Sequence, residues 1–133
     1  MQLTVSQTAL ALWALLAFQI KHLLCDFILQ TKSQAVNKSF YGHIGGVSHA
    51  AIHALFTVPV LLILTRSPVM IAVVAAGEFV LHYHIDWLKA RTERVRGWRE
   101  TDHIYWAAFG VDQFLHQATY IAIVAILMFW VPR

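Results

Sequence analysis

Four pairs of side chains in this sequence share one spacing. His22 and Asp26, His49 and His53, His82 and Asp86, and Asp112 and His116 each lie four residues apart. On an α-helix such residues stack on one face, with Cβ atoms about 5–6 Å apart. At that spacing two side chains can chelate one ion, as the histidines of H-E-x-x-H do. Imidazole with carboxylate suits Zn²⁺, Mn²⁺ or Fe²⁺ better than Ca²⁺ or Mg²⁺. The set is large enough for one or two divalent ions, with zinc the first expectation. A cysteine-poor set with room for water reads as catalytic rather than structural. A bound water with lowered pKa would be the nucleophile. Asp26, Asp86 and Asp112 are the candidate carboxylate ligands, one of them able to bridge two ions. His22, His49, His53, His82 and His116 are the candidate nitrogen ligands. One of the eight can instead serve as a base or a supporting group.

Other polar residues extend this set. Glu78 lies four residues before His82. It is a candidate general base or supporting partner, and its plainer role is a hydrogen bond between helices. Lys89 is placed to meet a substrate phosphate or to snorkel to the interface. Gln30 and Gln113 are natural hydrogen-bond donors to the carboxylates. His84 is expected to point away from the site, and His43 and His103 to be solvated. Lys21 is expected to point off the His22 face. Cys25 is the one cysteine, so no intrachain disulfide forms.

The elements that must position these residues follow from composition. The chain has 133 residues, 59% hydrophobic and 13% charged, with mean hydropathy +0.59. Soluble domains are about 25% charged, so a soluble enzyme and a disordered chain are both disfavoured. A membrane-spanning helix needs about 20 mostly apolar residues. Four segments qualify, at roughly residues 3–30, 47–65, 69–91 and 104–131. The expected fold is all-α, an antiparallel bundle of four transmembrane helices forming a single integral membrane domain over residues 1–133. Residues 31–46, 66–68 and 92–103 are read as connecting loops. With helices alternating in direction, all four pairs fall towards one end of the bundle. An aspartate at mid-span costs about 2.5–3.5 kcal/mol to insert. Three of them therefore belong inside the bundle, with a cation or imidazole beside them.

Charge sets the expected orientation. Lys32 and Lys38 flank the first connection, and Lys89, Arg91, Arg94, Arg96 and Arg99 the third; Arg66 and Arg133 lie at the other side. The positive-inside rule puts the basic side in the cytoplasm and both termini outside. Trp13 and Trp130 then mark the outer interface, and Trp87, Trp98 and Trp106 the inner one. Met1-Gln2-Leu3-Thr4 has no basic n-region, so insertion is expected to come from the helices themselves. The expected location is a bacterial inner (cytoplasmic) membrane, or a phage-encoded equivalent. The expected partners are membrane lipid and an anionic lipid or phosphate-bearing substrate drawn by the basic loop. No basic stripe with interleaved aromatics calls for nucleic acid. An oligomer is compatible with all of this.

The sequence resembles a known family at these same residues. His22-Leu23-Leu24-Cys25-Asp26-Phe27-Ile28-Leu29-Gln30, with Lys32 or Lys38 following, is similar to the H-x-x-x-D-F-x-L-Q signature of domain of unknown function 3307. That family comprises bacterial and phage membrane proteins. His49-Ala50-Ala51-Ile52-His53, His82-Tyr83-His84-Ile85-Asp86-Trp87-Leu88-Lys89 and Phe109-Gly110-Val111-Asp112-Gln113-Phe114-Leu115-His116 match its later blocks in order. The pattern is more distantly similar to inner-membrane metal-dependent hydrolases, a resemblance that implies phosphoester hydrolysis.

The leading expectation is a membrane-embedded metallohydrolase acting on a phosphoester or lipid phosphate at the cytoplasmic leaflet. The alternatives are a divalent-metal or proton transporter or channel, and a small phage-type membrane protein with a non-catalytic His/Asp core.

Overall fold

The computed structural model describes residues 4–129, and the regular structure among them is helical. Helix α1 (Val5–Leu23) runs into a single π-helical turn (Leu24–Ile28). A short α2 (Lys32–Asn37) follows, then α3 (Ile44–Leu64), α4 (Pro68–Arg96) and α5 (His103–Phe129). Four segments, Val5–Ile28, Ile44–Leu64, Pro68–Arg96 and His103–Phe129, are long and apolar enough to cross a membrane. The expected anchor Trp130 and the expected charge Arg133 lie outside the described residues.

Local chemistry sets the helix ends. Thr4 caps α1 and Thr31 caps α2, each exchanging hydrogen bonds with a glutamine three residues on. Ser67 caps α4, whose first residue is Pro68, where the missing N–H costs nothing. Gly97, at φ 70°, closes α4 in the left-handed conformation glycine adopts without strain. Pro59 sits inside α3 without ending it. Neighbouring groups in a membrane helix can satisfy what proline frees.

Two expected loops are shorter than their polarity implies. Residues 31–46 hold α2 and the start of α3, and residues 92–96 are the last turn and more of α4. In the first case the Thr31 cap and two glycines outweigh the polar composition. A Cβ on Gly45 would lie 3.2 Å from both Asn37 Cβ and Ser33 O, and one on Gly46 would lie 3.4 Å from Lys38 Cα. Their bare backbones let α2 lie against the start of α3.

The interior has two halves. Ala14, Phe18, Val60, Leu61, Leu64, Tyr120, Ile123, Val124, Leu127 and Met128 form an apolar core. Phe18 stacks on Tyr120 there, with ring centroids 4.8 Å apart. The other half is polar. Large apolar side chains such as Leu12, Ile20, Phe27, Leu55, Val73 and Phe114 face outward. Polar inside with apolar outside is what lipid as solvent selects.

Candidate metal centre

Each pair of site residues is carried inward by a different stretch of helix. Asp26 sits in the π-helical turn, where the Leu29 N–H donates to Leu24 O across five residues at 2.8 Å. Such turns widen a helix locally and recur at functional sites. This one re-aims the chain at Asp26, while His22 Nε2 stays 3.1 Å from Asp26 Oδ2. His49 and His53 come from the first half of α3, His82 and Asp86 from the second half of α4, and Asp112 and His116 from the first half of α5.

The structure brings all eight paired residues together. His53 Nε2 and His49 Nε2 lie 2.9 and 3.0 Å from the same oxygen, Asp26 Oδ1. Asp86 Oδ2 lies 3.3 Å from His49 Nε2 and 3.5 Å from His82 Nε2, and Asp86 Oδ1 lies 3.4 Å from His116 Nε2. Asp112 stands at the edge, its Oδ1 3.7 Å from His116 Nε2. The His53 and His82 rings stack at 3.7 Å between centroids. His49, His53, His82, Asp86, Asp112 and His116 are all buried.

Two groups of these atoms are compact enough to hold a metal ion. One is Asp26, His49, His53 and His82; the other is His82, Asp86 and His116; in each, the ligand atoms all lie within 4.8 Å of one another. His82 is the shared member. Neither of its ring nitrogens makes a hydrogen bond, although the residue is only 2% exposed. An unsatisfied buried polar group costs about 1–3 kcal/mol. A cation among these donors relieves that cost and the mutual repulsion of Asp26 and Asp86. The residues present therefore fit a divalent ion.

The family model for Protein of unknown function (DUF3307) matches residues 14–132. The chain belongs to this family. All eight paired residues of the DUF3307 chain lie inside the matched region. No curated protein and no solved structure matches it.

The supporting residues settle differently. Gln30 Nε2 lies 3.1 Å from His49 Nε2, and Gln113 donates through Nε2 to Asp112 Oδ2 at 3.2 Å. Lys89 pairs with Glu93 at 3.1 Å and lies over the Tyr105 and Phe109 rings. Glu78 pairs with Lys21 rather than reaching the carboxylates. His84 is exposed and bonds Tyr41 Oη at 3.2 Å, which leaves His82 as the inward histidine of that segment. His103 is exposed. His43 is a half-buried cap, its Nδ1 accepting from Gly45 N at 3.0 Å, not a solvated side chain.

Three residues of this region lie outside the four pairs. Lys38, at the C-cap of α2, puts Nζ 3.3 Å from Asp86 Oδ2. Burial opposes its charge, but Asp86, with Asp112 and Asp26 behind it, outweighs burial and raises the ammonium above its ordinary value. Lys21 points inward, against expectation, because α1 packs against both α3 and α5 and its buried stripe is wide. That stripe, Ala14, Phe18, Lys21 and Cys25, has spacings of four, three and four, a legible signal. Tyr120 lies four residues after His116 and continues its face.

Proposed function

We propose that this protein is a membrane-embedded, metal-dependent hydrolase, in which residues of four antiparallel transmembrane helices hold one or two divalent ions, zinc first. The observation that carries the reading is the convergence of His49 Nε2 and His53 Nε2 on Asp26 Oδ1, beside a His82 with no hydrogen bond. Asp26, His49, His53 and His82 would hold one ion, and His82, Asp86 and His116 a second or the same ion shifted. Such an ion supplies a water of lowered pKa and a Lewis acid for a phosphoryl oxygen. Asp112, whose buried Oδ1 makes no hydrogen bond and lies 3.7 Å from His116 Nε2, is the carboxylate that would serve as a base beside such an ion. Lys38, with Nζ 3.3 Å from Asp86 Oδ2, is a cation beside the centre that would face the charge of a phosphoester.

The substrate class we propose is a lipid phosphate or phosphodiester. A groove of about 390 Å³ runs between α4 and α5, lined by Ile85, Leu88, Ala108, Val111 and Leu115, with Asp112 and Lys89 also on its wall. Its apolar lining suits an acyl chain arriving from within the bilayer. The basic connection between α4 and α5 supports an orientation with this end at the cytoplasmic leaflet, in a bacterial inner membrane. The apolar layer of Phe18, Leu61, Leu64 and Leu127 beyond the centre favours hydrolysis over ion transport, which needs a polar path through it.

The test is metal analysis of protein purified in detergent, followed by assay against lipid-phosphate micelles. Stoichiometric zinc, manganese or iron with hydrolysis is expected. No divalent metal in either purified or metal-supplemented protein ends the reading. Metal with ion flux in liposomes and no hydrolysis replaces it with transport.

A further inference from the structure

A second buried polar row leads into the metal centre from the apolar half. Lys21 and Glu78, 4% and 2% exposed, form an ion pair. Lys21 Nζ also lies 3.3 Å from Tyr120 Oη, and Tyr120 Oη lies 3.1 Å from His22 Nδ1. On the other side of the ring, His22 Nε2 lies 3.0 Å from Gln113 Oε1 and 3.1 Å from Asp26 Oδ2.

The direction of each hydrogen bond is fixed by what each atom can do. A lysine ammonium only donates. If the shared proton sits on Glu78 instead, it occupies the Lys21 lone pair, and Nζ still donates to Tyr120. Tyr120 Oη therefore accepts from Lys21 in either state. Its own O–H then has His22 Nδ1 as the acceptor in reach, so Nδ1 carries no proton.

The far side of the ring gives the same answer independently. Gln113 Nε2 donates to Asp112 Oδ2 at 3.2 Å, which turns its carbonyl oxygen towards His22. A carbonyl and a carboxylate both accept, so His22 Nε2 carries the proton. Both ends select the neutral Nε2–H tautomer. In that form the Nδ1 lone pair is taken by Tyr120 and Nε2 has none to give.

We infer that His22 is a positioning residue and not a metal ligand. Its Nε2–H donates to Gln113 Oε1 with Asp26 Oδ2 3.1 Å from the same nitrogen, and Asp26 Oδ1 is left for the centre, where His49 and His53 converge. Glu78, Lys21 and Tyr120 fix the His22 tautomer from the Nδ1 side, as Gln113 and Asp26 do from the Nε2 side. This inference rests on the metal reading above and narrows its ligand set. It also gives a role to a buried ion pair that hydrolysis itself does not use. A metal-ligating group is commonly held by such an outer hydrogen bond, and losing the bond costs about 10–100-fold in affinity.

The experiment is NMR of ¹⁵N-histidine-labelled protein in micelles, metal-free and loaded with ¹¹³Cd²⁺. Expected are a protonated Nε2 and bare Nδ1 for His22 in both samples, and ¹¹³Cd coupling to His49, His53 and His82 but not to His22. Tyr120→Phe is expected to keep the Nε2–H tautomer, held by Gln113 and Asp26, to shift the His22 Nδ1 resonance as its hydrogen bond is lost, and to leave bound cadmium per chain unchanged. His22→Gln, which keeps an N–H donor, is expected to keep the stoichiometry and bind cadmium no more than about 100-fold more weakly. Cadmium coupling to His22, or loss of an ion in His22→Gln, overturns the inference while leaving the metal centre standing. A protein that binds no cadmium at all sinks the metal reading instead. Even then, an Nδ1–H tautomer in the metal-free sample refutes the relay by itself.

Discussion

Lys38 Nζ lies 3.3 Å from Asp86 Oδ2, joining the end of the short helix α2 to the buried face of α4. The contact makes α2 more than a connection. It closes the polar end of the bundle with a cation, beside three aspartates whose charge would otherwise be met by imidazole alone. Gln34 strengthens the closure by donating to Ser48 Oγ at 3.1 Å.

Lys38→Met removes that charge without removing a metal ligand. A hydrogen bond to a charged group contributes about 1.5–3 kcal/mol, so KM for a phosphoester is expected to rise about 10–100-fold. Metal content per chain is expected to stay the same. Steady-state kinetics with elemental analysis checks both, and a fall in metal content would make Lys38 a structural residue only.

Gly45→Ala tests how α2 is seated. The added Cβ would sit 3.2 Å from Ser33 O, a backbone atom that yields only if α2 moves. Overpacking of this kind costs about 1–3 kcal/mol. The variant is expected to lose stability and to raise KM in the same direction as Lys38→Met. Gly77→Ala, with no atom within 4 Å of the new Cβ, is expected to change neither quantity.

Asp26→Asn keeps the shape of the acceptor on which two histidines converge and removes its charge. Bound metal after dialysis against a competing chelator is expected to drop at least tenfold, as it is in His53→Ala. His84→Ala, altered at an exposed site, is expected to keep its metal. Chelation of the wild-type protein is also expected to lower its melting temperature, because an ion present at 1,000 times its Kd stabilises by about 4 kcal/mol. A melting temperature indifferent to both metal and chelator would speak against a bound ion.

Lys21→Met leaves Glu78 buried without its partner. Breaking a buried ion pair in this way costs about 3–5 kcal/mol, whereas replacing both members by apolar residues is often neutral. Lys21→Met is therefore expected to unfold earlier in a denaturant titration. Lys21→Met with Glu78→Leu is expected to recover most of the loss. A double variant as unstable as the single one would show that the pair contributes more than its own charge balance.

Much of this arrangement is legible along the chain. The helix repeat is a local property, so a spacing of four places His49 with His53, and Asp112 with His116, on one face whatever the rest of the chain does. The low charge fraction likewise makes long apolar helices the available answer. The same local rule favoured His82 over His84, and the structure agrees.

The tertiary structure decided what local periodicity does not carry. Helical spacing says nothing of how far one helix rotates against its neighbours, so it left Lys21 outside when α1 in fact buries a stripe wide enough to include it. Nor does it anticipate the π-helical turn at Asp26, which inserts one extra residue into the face. Lys38 enters because two glycines let α2 lie against the start of α3. The direction of the hydrogen bonds at His22 depends on Lys21, Tyr120, Gln113 and Asp112 meeting from two helices. The sequence by itself determined which residues share a face; only packing decided which faces meet, because relative rotation is set by contacts between residues far apart in the chain.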